Sequence, residues 1–209
     1  MKCSEFMQSL DAWTDGELSE EQSAEMERHA NQCAPCREQW TAAEQLRSFL
    51  SRMDEDRPFL NMTDFSLSDA VYETAKSFVP IAAAQNKTFH INVDKNISFY
   101  GDEPSVRQAV SLLLDNAMRY SDSEGTVEIS LKRSGRSLRL VVRNTADHLQ
   151  PGKLDVFFER FYRADASRNS EMGGNGIGLS VVKAIVTAHK GKISAESPEG
   201  RWVNFTITF

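Results

Sequence analysis

A glycine-rich loop at residues 174–178 limits what this chain can fold into more than any other sequence feature. Its glycines, at positions 174, 176 and 178, lead directly into an apolar, helix-forming run that starts at Ile177. Because glycine lacks a Cβ, the loop backbone can turn several N–H groups toward one anion at the start of a helix. The loop therefore predicts a phosphate site, although glycine spacing alone is equally typical of a flexible surface turn.

The spacing excludes two common phosphate-binding motifs. A Walker-type loop ends in Lys followed by Ser or Thr, whereas Gly178 is followed by Leu179 and Ser180. A dinucleotide-binding fingerprint requires a third glycine three residues after the second and a strand directly before the loop. Neither condition is met here.

The residues before the loop narrow the interpretation. The stretch 158–180 reads FERFYRADASRNSEMGGNGIGLS, and it closely resembles the nucleotide lid of bacterial histidine kinases. In that family an F box, here Phe158 and Phe161, leads through a lid to a second glycine box. The resemblance implies an ATP-binding domain over about residues 63–209 with the Bergerat ATP-binding fold, a two-layer α/β sandwich. The nucleotide-binding residues that it implies in this stretch are Phe158, Gly174, Gly176, Gly178 and Leu179.

Length and charge bound the remaining possibilities. A chain of 209 residues can hold one large domain or two small ones, and no apolar run approaches the roughly 20 residues that cross a bilayer.

The first 50 residues carry ten acidic and four basic side chains, so they hold the whole net charge of −6. Without a basic patch we expect no direct nucleic-acid binding. Without a signal-peptide core we expect a cytoplasmic protein.

All three cysteines lie within the first 36 residues. His29, Cys33 and Cys36 follow the spacing His-x-x-x-Cys-x-x-Cys, and Cys3 stands 26 residues before His29. His29 and Cys33 share one face of a helix, and the two-residue gap lets Cys33 and Cys36 bind one ion. Together the four residues make a Cys3His zinc shell. The alternative is three free thiols and a surface histidine.

The first 50 residues, with LDAWTDGELSEEQSAEMERHANQCAPCREQW, resemble the zinc-binding anti-sigma factor domain. The resemblance implies a small, all-helical zinc-binding unit over residues 1–50 and a sigma factor as partner. Members of that family keep a sigma factor from RNA polymerase, although such a zinc fold can also serve other protein contacts. The acidic bias suits a basic partner protein, but a solvated acidic helix has the same composition.

A domain boundary follows the zinc-binding segment. A helix is expected from Gln39 to Met53 and is expected to stop at Asp54–Pro58, because proline disfavours helix in the residue before it. We therefore interpret residues 51–62 as a linker to the domain at 63–209.

None of the four histidines matches the phosphorylated histidine of a complete histidine kinase, which an acidic residue usually follows, with a proline five positions on. His29 is a zinc candidate, His90 lies in the strand-like TFHINV, His148 is in a polar loop, and His189 precedes a Lys-Gly turn. We therefore expect that the chain cannot phosphorylate itself in the usual way. Its partner would be a sigma factor, or a response regulator or other phosphoacceptor protein.

Helical and strand periodicities alternate beyond residue 63. One helical layer on a mixed, mostly antiparallel sheet accounts for their order and gives an α+β fold. The predicted helices are 67–85, 103–120 and 177–189, and the predicted strands are 88–93, 126–132, 137–143, 192–197 and 202–209.

The predicted helix 103–120 carries a polar patch beside its apolar stripe. Asn116, Arg119 and Tyr120 lie three or four residues apart on one face. These groups can serve magnesium, phosphate and adenine respectively, but the polar rim of an amphipathic helix has the same spacing. The run LLLDNAMRYS resembles the histidine-kinase N box, which implies that Asn116 binds magnesium and that Arg119 replaces the usual lysine. Leu112 stands where many members carry a second asparagine.

The first glycine box departs from the family pattern. The family's D-x-G-x-G, whose aspartate binds the adenine amino group, aligns with residues 144–148. Asn144 can accept that hydrogen bond through its amide oxygen, but it is neutral and both glycines are replaced. In the lid, Arg160, Arg163 and Arg168 can face the triphosphate or be ordinary surface arginines, and Arg163 is the preferred candidate.

Two functions are compatible with these features. In the first, a signalling protein with ATP, Mg²⁺ and Zn²⁺ as cofactors transfers the γ-phosphoryl group to a histidine of another protein, which makes it an enzyme of histidine-kinase type. In the second, a zinc-binding anti-sigma factor sequesters a sigma factor, with ATP as ligand or switch. A fusion or fragment with two uncoupled ligand sites is a third reading.

Overall fold

A computed structural model of the protein describes residues 1–54, 61–147, 149–160, 162 and 177–209. Apart from Ile177, they divide into two compact units, one within Met1–Phe59 and the other within Leu60–Ala166 and Gly178–Phe209. Among the described residues, no helix combines the length and the apolar character that crossing a bilayer demands.

Three helices form the amino-terminal unit: α1 (Cys3–Thr14), α2 (Glu20–Gln32) and α3 (Ala34–Asp54). A capping box starts α2, because the Ser19 hydroxyl accepts a hydrogen bond from the Gln22 backbone N–H while the Gln22 side chain accepts one from the Ser19 N–H. Apolar side chains at helical spacing fill the space between the helices. They are Phe6, Leu10, Trp13, Met26, Ala30, Trp40, Ala43 and Leu46.

The second unit alternates strands and helices. Its elements are β1 (Thr63–Ser66), α4 (Leu67–Lys76), α5 (Val79–Ala84), β2 (Thr88–Val93), β3 (Ser98–Gly101), α6 (Glu103–Tyr120), β4 (Thr126–Ser134), β5 (Ser137–Thr145), β6 (Gly152–Lys153), a 3-10 turn (Asp155–Phe158), α7 (Gly178–Ala188), β7 (Lys192–Ser197) and β8 (Trp202–Thr208). Six strands form a sheet in the order β2-β4-β5-β8-β7-β6, in which β2 and β4 are parallel and every other pair is antiparallel. Strands β1 and β3 form a separate antiparallel pair.

Alternation along the central strands builds the core of this unit. Every second residue of β5 and β8 is buried, as is every second residue of β4 as far as Leu131. The helices α4, α6 and α7 contact the sheet. The buried side chains of these strands include Val127, Ile129, Leu131, Leu140, Val142, Phe205 and Ile207. The predicted α+β fold, a helical layer on a mixed and mostly antiparallel sheet, is confirmed.

Element boundaries agree with the predictions to within two residues except at two helices and three short strands. Helix α3 begins at Ala34, five residues before the predicted start at Gln39. The predicted helix 67–85 is two helices, since α4 ends at Lys76 and Pro80 lies in the first turn of α5. A continuous helix would place the Pro80 ring against the carbonyl of Lys76. Strands β1, β3 and β6 have two to four residues, too few for a clear alternation to stand out.

Candidate nucleotide site and zinc centre

The four predicted zinc ligands converge. The sulfur atoms of Cys3, Cys33 and Cys36 and a ring nitrogen of His29 all lie within 4.8 Å of one another. Cys3 Sγ is 3.8 Å from Cys33 Sγ, and His29 Nε2 is 3.3 Å from Cys36 Sγ. Two thiolates bound at about 2.3 Å to a tetrahedral zinc ion lie about 3.8 Å apart. The donor set therefore fits zinc in both composition and spacing.

All three helices contribute to this cluster. Cys3 begins α1, His29 lies in the last turn of α2, Cys33 connects α2 to α3 in an extended conformation, and Cys36 lies in the first turn of α3. The His29 ring packs 5.4 Å from the ring of Phe6, centroid to centroid. A bound metal would thus join the helices, and two of the side chains that would hold it, His29 and Cys36, border the core.

The thiols of the cluster differ in how readily they ionise. Hydrogen bonding to Cys36, mainly to its backbone, lowers the pKa of Cys33. Burial raises the pKa of the Cys36 thiol to about 12. Zinc binds the thiolate form of cysteine. A cation at this position would therefore stabilise the ionised form of the buried Cys36 side chain.

Helix α6 positions the predicted N-box residues. Asp102 is the N-cap residue of this helix, and its Oδ1 accepts a 2.8 Å hydrogen bond from the Ser105 backbone N–H. Near its end, Asn116 and Arg119 are half-buried and Tyr120 is 42% exposed. Arg119 forms a 3.1 Å ion pair with Asp115, one turn earlier. The ion pair holds the Arg119 guanidinium at Asp115, while Arg119 itself stands three residues after Asn116, at a neighbouring position on the helix surface.

The predicted adenine-binding residue lies at the end of β5. Asn144 is 1% exposed, and its Nδ2 donates a 3.0 Å hydrogen bond to the Thr145 carbonyl. The amide nitrogen can only donate, so an adenine amino group would have to be accepted by Oδ1.

The second glycine box is described only at its end, where α7 begins. Gly178 is the first residue of α7, and a Cβ built on it would lie 3.6 Å from Leu112 Cδ2 on α6. Leu179 is 9% exposed and Phe158 is 4% exposed, with the Phe158 ring edge-on to Phe205 at 6.2 Å. Both side chains are packed in the core, so a contact of Leu179 with nucleotide would fall to its backbone rather than to its side chain. Phe161, Arg163, Arg168, Gly174 and Gly176 lie outside the described residues, as does His148.

The structure also gives His189 a role that the sequence did not indicate. This side chain is 7% exposed, its Nε2 accepts a 3.0 Å hydrogen bond from the Asp102 N–H, and its Nδ1 donates to the Ile185 carbonyl at 2.8 Å. Both ring nitrogens are therefore used in joining the end of α7 to the start of α6. No short-range pattern could have revealed it, because Asp102 and His189 are 87 residues apart.

A family model for histidine kinase-, DNA gyrase B- and HSP90-like ATPases matches residues 101–209, which include α6, Asn144 and the start of α7. The chain belongs to this ATPase family. A zinc-finger family model matches residues 3–37, which contain all four ligands of the cysteine and histidine cluster. The candidate nucleotide site and the candidate zinc centre thus lie in segments that match two different family models.

Sensor kinases are among the similar proteins. The sensor protein PcoS of Escherichia coli is 34% identical over 159 residues, which are 76% of this chain and 34% of PcoS. The chain spans about a third of the length of the first curated relatives it matches, 34% and 37% of PcoS and of the sensor protein DltS of Streptococcus agalactiae. The catalytic domain of the histidine kinase ThkA shares the fold, with a TM-score of 0.60 and 21% identity over 71% of this chain and 95% of that domain. ThkA in complex with the response regulator TrrA matches with a TM-score of 0.57 and 20% identity over 80% of this chain and 49% of that chain.

Proposed function

We propose that the ATPase-family domain binds Mg-ATP and transfers the γ-phosphoryl group to a histidine of another protein. The observation that carries this proposal is the junction of α6 with β5 and α7, where contacting elements hold Asn116, Asn144 and Gly178. Kinases of this type depend on positioning and charge neutralisation rather than on a protein nucleophile. The proposed units are a zinc-binding domain at 1–50, a linker at 51–62 and the ATP-binding domain at 63–209.

Each residue of the site has a proposed part. The Asn116 amide oxygen would hold Mg²⁺, and Asn144 and Tyr120 would bind adenine. Arg119 and Arg163 would face the phosphates, and the N–H groups of the glycine loop 174–178 would cradle them. When bound, Mg²⁺ would neutralise charge on the β- and γ-phosphate oxygens.

Transfer to a second protein is favoured by the surroundings of the described histidines. His29 belongs to the Cys/His cluster and both ring nitrogens of His189 are hydrogen-bonded. His90 is exposed on the edge strand β2, but Ile91 follows it where a phosphoacceptor histidine usually precedes an acidic residue. ThkA is a histidine kinase captured with a response regulator. By analogy, the partner of this chain would be a phosphoacceptor protein of a two-component pathway in the cytoplasm.

The magnesium assignment is tested by the variant Asn116→Ala. We expect it to abolish Mg-dependent ATP binding, measured by calorimetry with and without Mg²⁺. Asn92→Ala is the matched control, since Asn92 is an exposed asparagine on β2. Unchanged affinity in Asn116→Ala would refute the site. Incubation of the chain with γ-labelled ATP and a histidine-bearing acceptor domain then tests transfer, and an unlabelled acceptor with a chain that binds ATP would exclude kinase activity on that acceptor.

A second candidate function is sequestration of a sigma factor by the zinc unit. It is favoured by the compact ligand cluster together with the net charge of −6 over the first 50 residues. Recovery of bound proteins from the native cell, followed by labelled ATP, separates the two functions. A recovered sigma factor without label would favour sequestration with ATP as ligand or switch, and a labelled histidine on the partner would favour kinase activity.

A further inference from the structure

Lys87 caps the carboxyl end of α6 from a distant part of the chain. It lies between α5 and β2, is half-buried, and its Nζ donates hydrogen bonds to the carbonyl oxygens of Met118 and of Ser121, the second at 3.2 Å. The last carbonyls of a helix have no partner within the helix, and a positive charge there complements the helix dipole. Lys87 therefore supplies hydrogen bonds and a positive charge at this helix end, where the Ser121 hydroxyl also donates to the Met118 carbonyl and Arg119 is a second basic residue.

The capped segment is the one that carries the N-box residues. Arg119 and Tyr120 lie between the two carbonyls that Lys87 binds, and Asn116 precedes Met118 by two residues, on the same turn. Fraying or tilting of this turn would move all three side chains together. A group that holds this turn in place would therefore act on the proposed magnesium, phosphate and adenine contacts together.

The loop after α6 is in turn fastened to the end of β5. Asp122 donates from its N–H to the Thr145 carbonyl at 3.3 Å, and Asp122 Oδ1 accepts from the Asp147 N–H at 2.9 Å. Thr145 Oγ1 accepts from the Thr126 N–H at 3.0 Å. A Cβ on Gly125 would lie only 2.3 Å from Thr145 Oγ1, so glycine is required for this approach. These bonds hold the strand end that bears Asn144.

The environment of Lys87 is costly for an ammonium group. Burial lowers the pKa of Lys87, and the nearby Asp122 carboxylate only partly opposes this effect. Within the described part of the chain, no carboxylate forms an ion pair with Lys87. A partly buried charge whose partners are carbonyl oxygens is consistent with a specific capping task rather than with a general surface role.

We infer that Lys87 is a positioning residue of the nucleotide site, which fixes the end of α6, and with it Asn116, Arg119 and Tyr120, relative to Asn144. The inference rests on the proposed function, because it assigns Lys87 a role in Mg-ATP binding. It adds a residue from outside the N box and both glycine boxes.

The test is Lys87→Met, which keeps a long apolar stem and removes the charge and the donors. We expect Mg-ATP affinity to fall on the order of tenfold, as misplacement of a binding group by a distant substitution does. Lys87→Arg, which keeps charge and donors, should recover part of that loss. Ile97→Val, a truncation at a buried position between β2 and β3, controls for lost stability and should keep its affinity.

A second measurement needs no nucleotide. Amide hydrogen exchange over residues 118–126 should be faster in Lys87→Met than in the parent chain, while exchange in β7 and β8 should be unchanged. Parent affinity in Lys87→Met, an arginine variant no better than the methionine variant, or an equal affinity loss in Ile97→Val would overturn the inference. If the parent chain binds no ATP, the proposed function fails, and unaltered exchange over 118–126 would separately refute the capping role.

Discussion

The two units of this protein build their sites in opposite ways. In the amino-terminal unit the predicted zinc ligands are also structural elements, since His29 packs on Phe6 and the buried Cys36 borders the same core. In the ATPase-family unit the core lies in the sheet, around residues such as Phe205, and the proposed nucleotide-site residues stand at the ends of α6, β5 and α7. We expect that metal loss would unfold the first unit, whereas nucleotide loss would leave the second one folded.

The largest effect should follow removal of the zinc ligands. Cys33→Ser with Cys36→Ser should unfold residues 1–54, because structural zinc sites contribute about 10–16 kcal/mol in small zinc-finger units. Metal content and amide exchange measure the outcome, and exchange in the sheet of the second unit should not change. Ser4→Ala, beside Cys3 on α1, is the control. Retention of one zinc ion per chain by the double variant would contradict the assignment.

A core truncation should produce the reverse pattern. Phe205 is 1% exposed and meets the ring of Phe158, so Phe205→Ala should destabilise the second unit by about 3–5 kcal/mol. Denaturant unfolding monitored on that unit measures the loss, and the zinc content should remain that of the parent chain. Thr206→Ala, at the next, half-exposed position of β8, should change stability far less. Loss of zinc in Phe205→Ala would show that the two units do not fold independently.

The elements that could be predicted are those determined by residues close together in the sequence. Helix α6 runs from Glu103 to Tyr120 as expected, because an Asp cap, a first-turn proline and an apolar stripe all indicate the same helix. The convergence of Cys3, His29, Cys33 and Cys36 was also predicted, since three of them lie within eight residues and only Cys3 is distant. The fold class followed from the order of periodic segments.

Interactions between distant residues could not be read from the sequence. Lys87 meets α6 across 31 and 34 residues, and His189 meets Asp102 across 87 residues, so no spacing rule links either pair. In the sequence, Lys87 and His189 have the pattern of ordinary surface residues. Their partners become neighbours only when the chain folds. The core positions of Phe158 and Leu179 were likewise hidden, because a motif indicates that a residue belongs to a site but not which way its side chain points.

A substitution toward the family pattern tests how the ATPase-family unit accommodates its altered glycine box. Asn144→Asp restores the family's aspartate, but it removes the amide donor that faces the Thr145 carbonyl at 3.0 Å. A buried carboxylate against a carbonyl oxygen should lower stability by about 1–3 kcal/mol. Thermal unfolding and Mg-ATP titration measure the two effects, with Asn92→Asp on the exposed β2 face as control. A variant as stable as the parent would show that this hydrogen bond contributes nothing.

The smallest expected effect is that of Asp102, whose carboxylate caps the amino-terminal end of α6. It concerns the pH dependence of the stability of the second unit. Burial acts to raise the pKa of Asp102, but hydrogen bonds from Ser105 and from the Asn61 N–H outweigh it, so the pKa lies below its ordinary value. A carboxyl with a lowered folded pKa stabilises the fold above its unfolded pKa, about 4, and this stability is lost as the pH falls through the folded value. Asp102→Asn keeps a good helix cap, so at pH 7 it should cost about 1 kcal/mol or less. The variant should also weaken the acid dependence of unfolding below about pH 4, measured by urea titration across that range. An unchanged pH dependence in Asp102→Asn would mean that other carboxyl groups govern the acid stability of this unit.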